Sequence, residues 1–155
     1  MTAEENLLFA ATMHGMRTER PAMAKALSDV GLSDHAQARV RTFSTGMKRR
    51  LVIGKMLLFD PELLFLDEPH NTLDQAAIAL LNDYVASVRA RGGSALMATH
   101  NLTRAFGMAD RFCFMRDGCL SGEAGKDGLS AEGLRELYVR FAEAESPDAT
   151  IKALA

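Results

Sequence analysis

The chain has 155 residues, 48% of them apolar and 25% charged, with a formal net charge of -2. That length suits one domain with a real core, and that balance is ordinary for a soluble globular protein and argues against disorder. With so little net charge, and with Lys48-Arg49-Arg50 as the one compact basic run, there is no electrostatic case for nucleic acid as a main partner.

In chain order, residues 4–16 carry Leu7, Leu8 and Ala11 at helical spacing, and residues 20–30 carry Met23, Ala24, Leu27 and Val30 likewise. Gly31 follows as a C-cap for the second helix. Ser44 begins a third, which runs through Leu51, Val52, Met56 and Phe59 until Asp60-Pro61 ends it. Glu62 to Leu66 is a short, mostly apolar run that predicts a buried strand. An amphipathic helix over 74–91 closes at Gly92-Gly93, and Ala95 to Ala98 predicts a second buried strand. A short helix over 101–108, a third strand from Arg111 to Met115, a turn at Asp117-Gly118 and a last helix from Ser130 to about Ala144 complete the series, with fraying final residues. Strands alternating with helices imply an α/β fold with a parallel sheet.

No segment is long enough to span a membrane: the longest apolar runs, Leu7 to Ala11 and Ala76 to Leu81, have five and six residues. The start, Met1-Thr2-Ala3-Glu4-Glu5, has acids where a secretory signal would be basic. A cytoplasmic protein, or one held at a membrane by a partner, is expected. Cys113 and Cys119 lack zinc-ligand spacing and read as reduced thiols in or near a strand.

The strongest chemical signal is Leu63-Leu64-Phe65-Leu66-Asp67-Glu68-Pro69. A strand ending in two carboxylates delivers them to the carboxyl edge of a sheet, where open α/β folds bind ligands. One can hold Mg²⁺ while the next polarises an attacking water. In isolation such a run is often only a strand meeting solvent. It is preceded by Phe43-Ser44-Thr45-Gly46-Met47, where a helix N-terminus offers N–H groups to an anion, although Ser44 alone would be an ordinary cap. It is followed by Asn71-Thr72-Leu73-Asp74 and then Thr99-His100-Asn101. Asp74 alone reads as a helix N-cap, and a lone His at a strand end as structural.

In this order the four elements resemble the ABC ATPase family. Phe43 to Met47 is similar to the signature motif, usually written LSGGQ, with Thr45 for the first Gly and Met47 for Gln. Leu63 to Pro69 is similar to the Walker B motif, Asn71 to Asp74 to the D-loop, and Ala98 to Asn101 to the H-loop. The resemblance implies an incomplete P-loop NTPase-like parallel sheet: a helical signature region at 1–60, an α/β core at 61–125, and a C-terminal helix and tail at 126–155. It implies ATP and Mg²⁺ as cofactors in a complete subunit or complex. Asp67 would help hold the metal, Glu68 would be the general base, and His100 would contact the γ-phosphate. Ser44, Thr45 and Gly46 would face ATP on a second nucleotide-binding subunit paired head to tail, and Asp74 would couple the two sites. A transmembrane permease would be the other partner, making the protein cytoplasmic and peripheral to the membrane.

A P-loop needs G-x-x-x-x-G-K-[ST], whose backbone cradles the phosphates. The two Gly-Lys pairs do not supply it: Gly54-Lys55 has Arg49 where the first Gly belongs, and Gly125-Lys126 has Leu120. The expectation is an export-type ABC ATP-binding subunit without its N-terminal portion, not ATPase-competent alone. The alternatives are a non-hydrolytic module that completes a partner's ATP site and a truncated gene product. In the related fold the P-loop strand lies between the strand ending at His100 and the Phe112 to Met115 strand. Without it the sheet must close up, borrow a strand, or stay marginally stable.

Overall fold

The computed structural model describes residues 1–17 and 19–143. The chain divides into two compact units, Met1–Ala98 and Thr99–Ala155. The expected fraying of the final residues, and the end of the last helix at Ala144, lie outside the described residues.

The first unit begins with three helices. Helix α1, Ala3–Met13, is started by a reciprocal cap: Thr2 Oγ1 accepts from the Glu5 amide at 3.2 Å and the Glu5 carboxylate accepts from the Thr2 amide at 2.7 Å. Ala3, Leu7 and Ala11, four residues apart, form its buried stripe. Leu8, which shares the helical spacing, lies outside that stripe and is half exposed. Helix α2, Arg20–Asp29, buries Met23, Ala26 and Leu27. Gly31 then takes φ +67°, as its place after the helix predicts, and lets the Leu32 amide donate to Leu27 at 2.8 Å. Helix α3, Thr45–Phe59, stops where Asp60 turns left-handed before Pro61.

Strand β1, Leu63–Asp67, leads through helix α4, Gln75–Ala90, to strand β2, Ser94–Ala98. The two strands are parallel, with Leu63 beside Ser94 and Asp67 beside Ala98. Gly93 is required at the entry to β2, since a Cβ there would sit 2.6 Å from the Glu62 carbonyl oxygen. Helix α4 lays Ala77, Ile78, Leu81, Tyr84, Val85 and Val88 into the core.

Neither strand is buried in the way the sequence predicts. Leu64 is buried, but its neighbours Leu63 and Phe65 are 52% and 73% exposed, and Leu96 beside Phe65 is 60% exposed. Period-two alternation puts these side chains on one sheet face, which no described element of this unit covers. Parallel sheets normally have both faces covered. The apolar composition was read correctly; the burial was not, because no described element of this unit lies over that face.

The second unit departs further. Strand β3, Arg111–Arg116, does not join the parallel sheet but pairs antiparallel with strand β4, Cys119–Gly125. Asp117 and Gly118 both have positive φ, which suits a two-residue hairpin turn, and the adjoining segment is the nearest available ladder partner. Ser121 to Gly125 gave no strand signal because it has neither β-branched residues nor apolar alternation. Helix α5, Leu102–Met108, and helix α6, Ala131–Tyr138, pack with Phe112, Phe114 and Leu134, and a wider helical turn, Val139–Glu143, brings Phe141 to 5.6 Å from the Phe114 ring. Cys113 and Cys119 are exposed free thiols on β3 and β4.

Candidate functional site

The N-terminal end of α3 is capped as its sequence suggests. Ser44 is extended and its Oγ accepts from the Met47 amide at 3.2 Å. Ser44 and Thr45 are exposed and Gly46 is half-buried. A Cβ on Gly46 would stand 3.4 Å from the Thr72 carbonyl oxygen, so the chain itself leaves room for a methyl group there.

The two carboxylates have different backbones. Asp67 is the last strand residue, exposed, beside a groove of about 300 Å³ that Arg49, Val52 and Met56 of α3 also line. Glu68 is left-handed at φ +41°, and its amide donates to the Ala98 carbonyl at 2.9 Å, one step beyond the ladder. The chain therefore turns sharply at the residue expected to be the base. It continues in two overlapping turns, with Asn71 donating to Glu68 at 3.1 Å and Leu73 to His70 at 3.3 Å. Thr72 sits at φ +63°, unusual for a β-branched residue.

Asp74 ends the loop as the N-cap of α4, accepting from the Ala77 amide at 2.9 Å. Its other oxygen pairs with Arg50, which also donates to the Val30 carbonyl at 3.0 Å. The Arg50 hydrogen bond, and after it the Ala77 amide, hold the Asp74 carboxyl below the usual carboxylate range. The structure thus brings Ser44, Thr45, Gly46, Asp67, Glu68 and Asp74 into one unit and joins the start of α3 to the carboxylate loop at Gly46 and Thr72. His100 is exposed and belongs to the second unit, where Asn101 caps α5.

Sequence reasoning missed Arg50 and His70. Arg50 was read only as part of a basic run, whereas it ties α2, α3 and α4 together. His70 is buried, and its Nε2 lies 3.0 Å from Asn82 Oδ1. Asn82 follows Leu81 and lies four residues after Ile78, which puts it beside the buried stripe of α4; that phase was the only available signal.

Among the described residues no group of three or more His, Cys, Asp or Glu side chains could enclose a metal ion. Mg²⁺ does not need one: it is commonly held by one or two carboxylates together with substrate phosphates and water. An exposed Asp67 at a strand tip, followed by Glu68, fits such a shared site.

The ABC transporter family model matches residues 1–71. A fluoroquinolones export ATP-binding protein of Mycobacterium tuberculosis is 38% identical over 118 residues, covering 76% of this chain and 38% of its own length. The Nod factor export ATP-binding protein I of Bradyrhizobium diazoefficiens is 37% identical over 133 residues, covering 84% of this chain and 44% of its own length. The chain belongs to the ABC transporter family. A solved ABC transporter ATP-binding subunit superposes on 91% of the chain with a TM-score of 0.78 at 28% identity, and 62% of that subunit is covered. The chain therefore spans less than half the length of these curated ABC relatives.

The Asp74–Arg50 pair gives this ABC chain a pH dependence of defined sign. The folded-state pKa of Asp74 is lowered, so the pair's stabilisation is fully present above the unfolded value of about 3.9 and is lost as pH falls through the folded value. Asp74→Asn keeps a good N-cap and removes the charge. Its urea midpoint is expected to lie below that of the parent at pH 7 and to converge with it in acid. A constant gap at all pH values would show that the charge contributes nothing.

Proposed function

We propose that this chain is the signature, Walker B and H-loop portion of an export-type ABC ATP-binding subunit, and that it works only in a protein or complex that supplies a P-loop. The observation that carries this reading is the junction at Gly46 and Thr72, which sets a Cβ-free helix N-terminus against the loop that carries Glu68. In such an assembly, bound MgATP supplies the γ-phosphoryl group that water attacks. Glu68 takes the proton of that water, and Asp67 holds the metal directly or through water. Ser44 and Gly46 present one hydroxyl and backbone N–H groups to phosphate on a second nucleotide-binding subunit. His100 contacts the γ-phosphate, and Asp74 links the paired sites.

Two apolar surfaces support protein partners. The open face with Leu63, Phe65 and Leu96 suits a covering layer from the polypeptide that bears the P-loop. On α1, Phe9 and Met13 are 56% and 70% exposed one turn apart, with Leu8 beside them, and suit a transmembrane permease. No helix among the described residues is long and apolar enough to cross a membrane. The proposed permease would hold the subunit at the cytoplasmic surface. Reconstitution tests the proposal. Joined covalently to the P-loop portion of a related export ATP-binding subunit, the chain should hydrolyse ATP. A joined protein that folds and binds ATP without any turnover would refute it.

A further inference from the structure

We infer that His70 is a positioning residue for the ATP site: by bonding Asn82 it holds the 68–74 loop, and with it the Glu68 carboxylate and the Thr72 backbone against Gly46. The inference rests on the functional reading above, but its geometry stands apart from it. His70 is 7% exposed, and its Nε2 lies 3.0 Å from Asn82 Oδ1 on α4. With that oxygen as acceptor, Nε2 carries the proton and donates, which leaves Nδ1 as a bare acceptor. Nδ1 is buried and, among the described residues, has no hydrogen-bond partner.

A buried imidazole with one unsatisfied nitrogen is a costly way to fill space. What it provides here is a fixed link from the middle of the loop to a packed helix. The loop needs one, because Glu68 at φ +41° and Thr72 at φ +63° both occupy conformations that persist only where the surroundings enforce them. The Arg50–Asp74 pair fixes the far end of the loop, and the Glu68 amide bond to Ala98 fixes the near end. His70 is the buried peg between them. Releasing it would let both left-handed residues relax, moving the base at one end and the surface behind Gly46 at the other.

The test uses the full 155-residue chain and its NMR spectrum. His70→Ala is expected to shift the backbone resonances of Glu68 and Thr72 toward values typical of negative φ and to speed amide exchange at Asn71 and Leu73 at least tenfold. Central α4 amides should keep their exchange rates. Asn82→Ala, which leaves the ring in place, should reproduce the pattern if His70→Ala fails to fold. His70→Gln, which can still reach Asn82, should largely restore the parent spectrum. In the protein joined to a P-loop, His70→Ala should lower kcat about tenfold with KM for ATP unchanged, and His70→Gln should recover it. Unchanged resonances at Glu68 and Thr72, or exchange that rises equally throughout α4, would overturn the inference. If the joined protein has no turnover, the functional reading falls and the spectra alone decide the role of His70.

Discussion

Glu68→Gln is expected to reduce ATP turnover by about 10²–10⁴-fold in a protein that joins this chain to a P-loop, while ATP binding is retained. Removing a general base characteristically costs that range. The amide keeps the size of the side chain and one oxygen but cannot take a proton from water. The left-handed backbone at Glu68 makes the substitution a clean one, because Glu and Gln meet the same penalty at φ +41° and the Ala98 bond uses only the backbone. Steady-state hydrolysis and equilibrium nucleotide binding, measured on the same preparation, separate the two effects. Turnover within a few-fold of the parent would place the base elsewhere. Loss of ATP binding would show that Glu68 grips nucleotide instead of activating water.

Gly46→Asp is expected to abolish ATP-driven dimerisation and hydrolysis in the joined protein while ATP binding to the monomer stays nearly unchanged. The backbone at position 46 has room for the first side-chain carbon. A Cβ at position 46 meets nothing in the chain closer than the Thr72 oxygen at 3.4 Å. An acidic residue in the first turn of α3 also complements the helix dipole. The damage would come from outside the chain, where added bulk and negative charge oppose an approaching phosphate. Gly46→Ala is the informative companion. It should leave the isolated chain as stable as the parent, or more stable by up to about 1 kcal/mol, because glycine is the poorer helix former. Ser44→Gly removes the hydroxyl at a cost of only a few tenths of a kcal/mol to the cap. It should show a milder form of the Asp defect. Analytical ultracentrifugation with and without ATP reads all three variants. Loss of monomer ATP binding in Gly46→Asp, or unimpaired hydrolysis, would contradict a role in facing a second subunit.

The sequence disclosed the ends of elements better than the sheet. Ser44 at a helix start, Asp67 at a strand end and Asp74 at the next helix start are all local features, set by capping preferences and by the change of period at Pro61. They appear where expected. What could not be read was burial and partnering beyond the neighbouring segment. Leu63, Phe65 and Leu96 have the composition of a buried parallel sheet, yet their exposure depends on a layer that local pattern cannot reveal. The pairing of β3 with β4 was hidden because Ser121 to Gly125 has no strand character of its own. His70 and Arg50 were missed for a related reason. They bond distant partners, Asn82 for His70 and Val30 and Asp74 for Arg50, and nothing in the spacing announces these pairs.

Under the proposed function, these 155 residues hold the trans-facing and hydrolytic parts of an ATP site without the part that grips ATP. Equilibrium titration of the unmodified chain with MgATP tests it most directly, with the P-loop-joined protein as the positive control. Saturable binding is expected for the joined protein and none for the chain alone at submillimolar ATP. Tight, saturable binding of MgATP by the chain alone would contradict it.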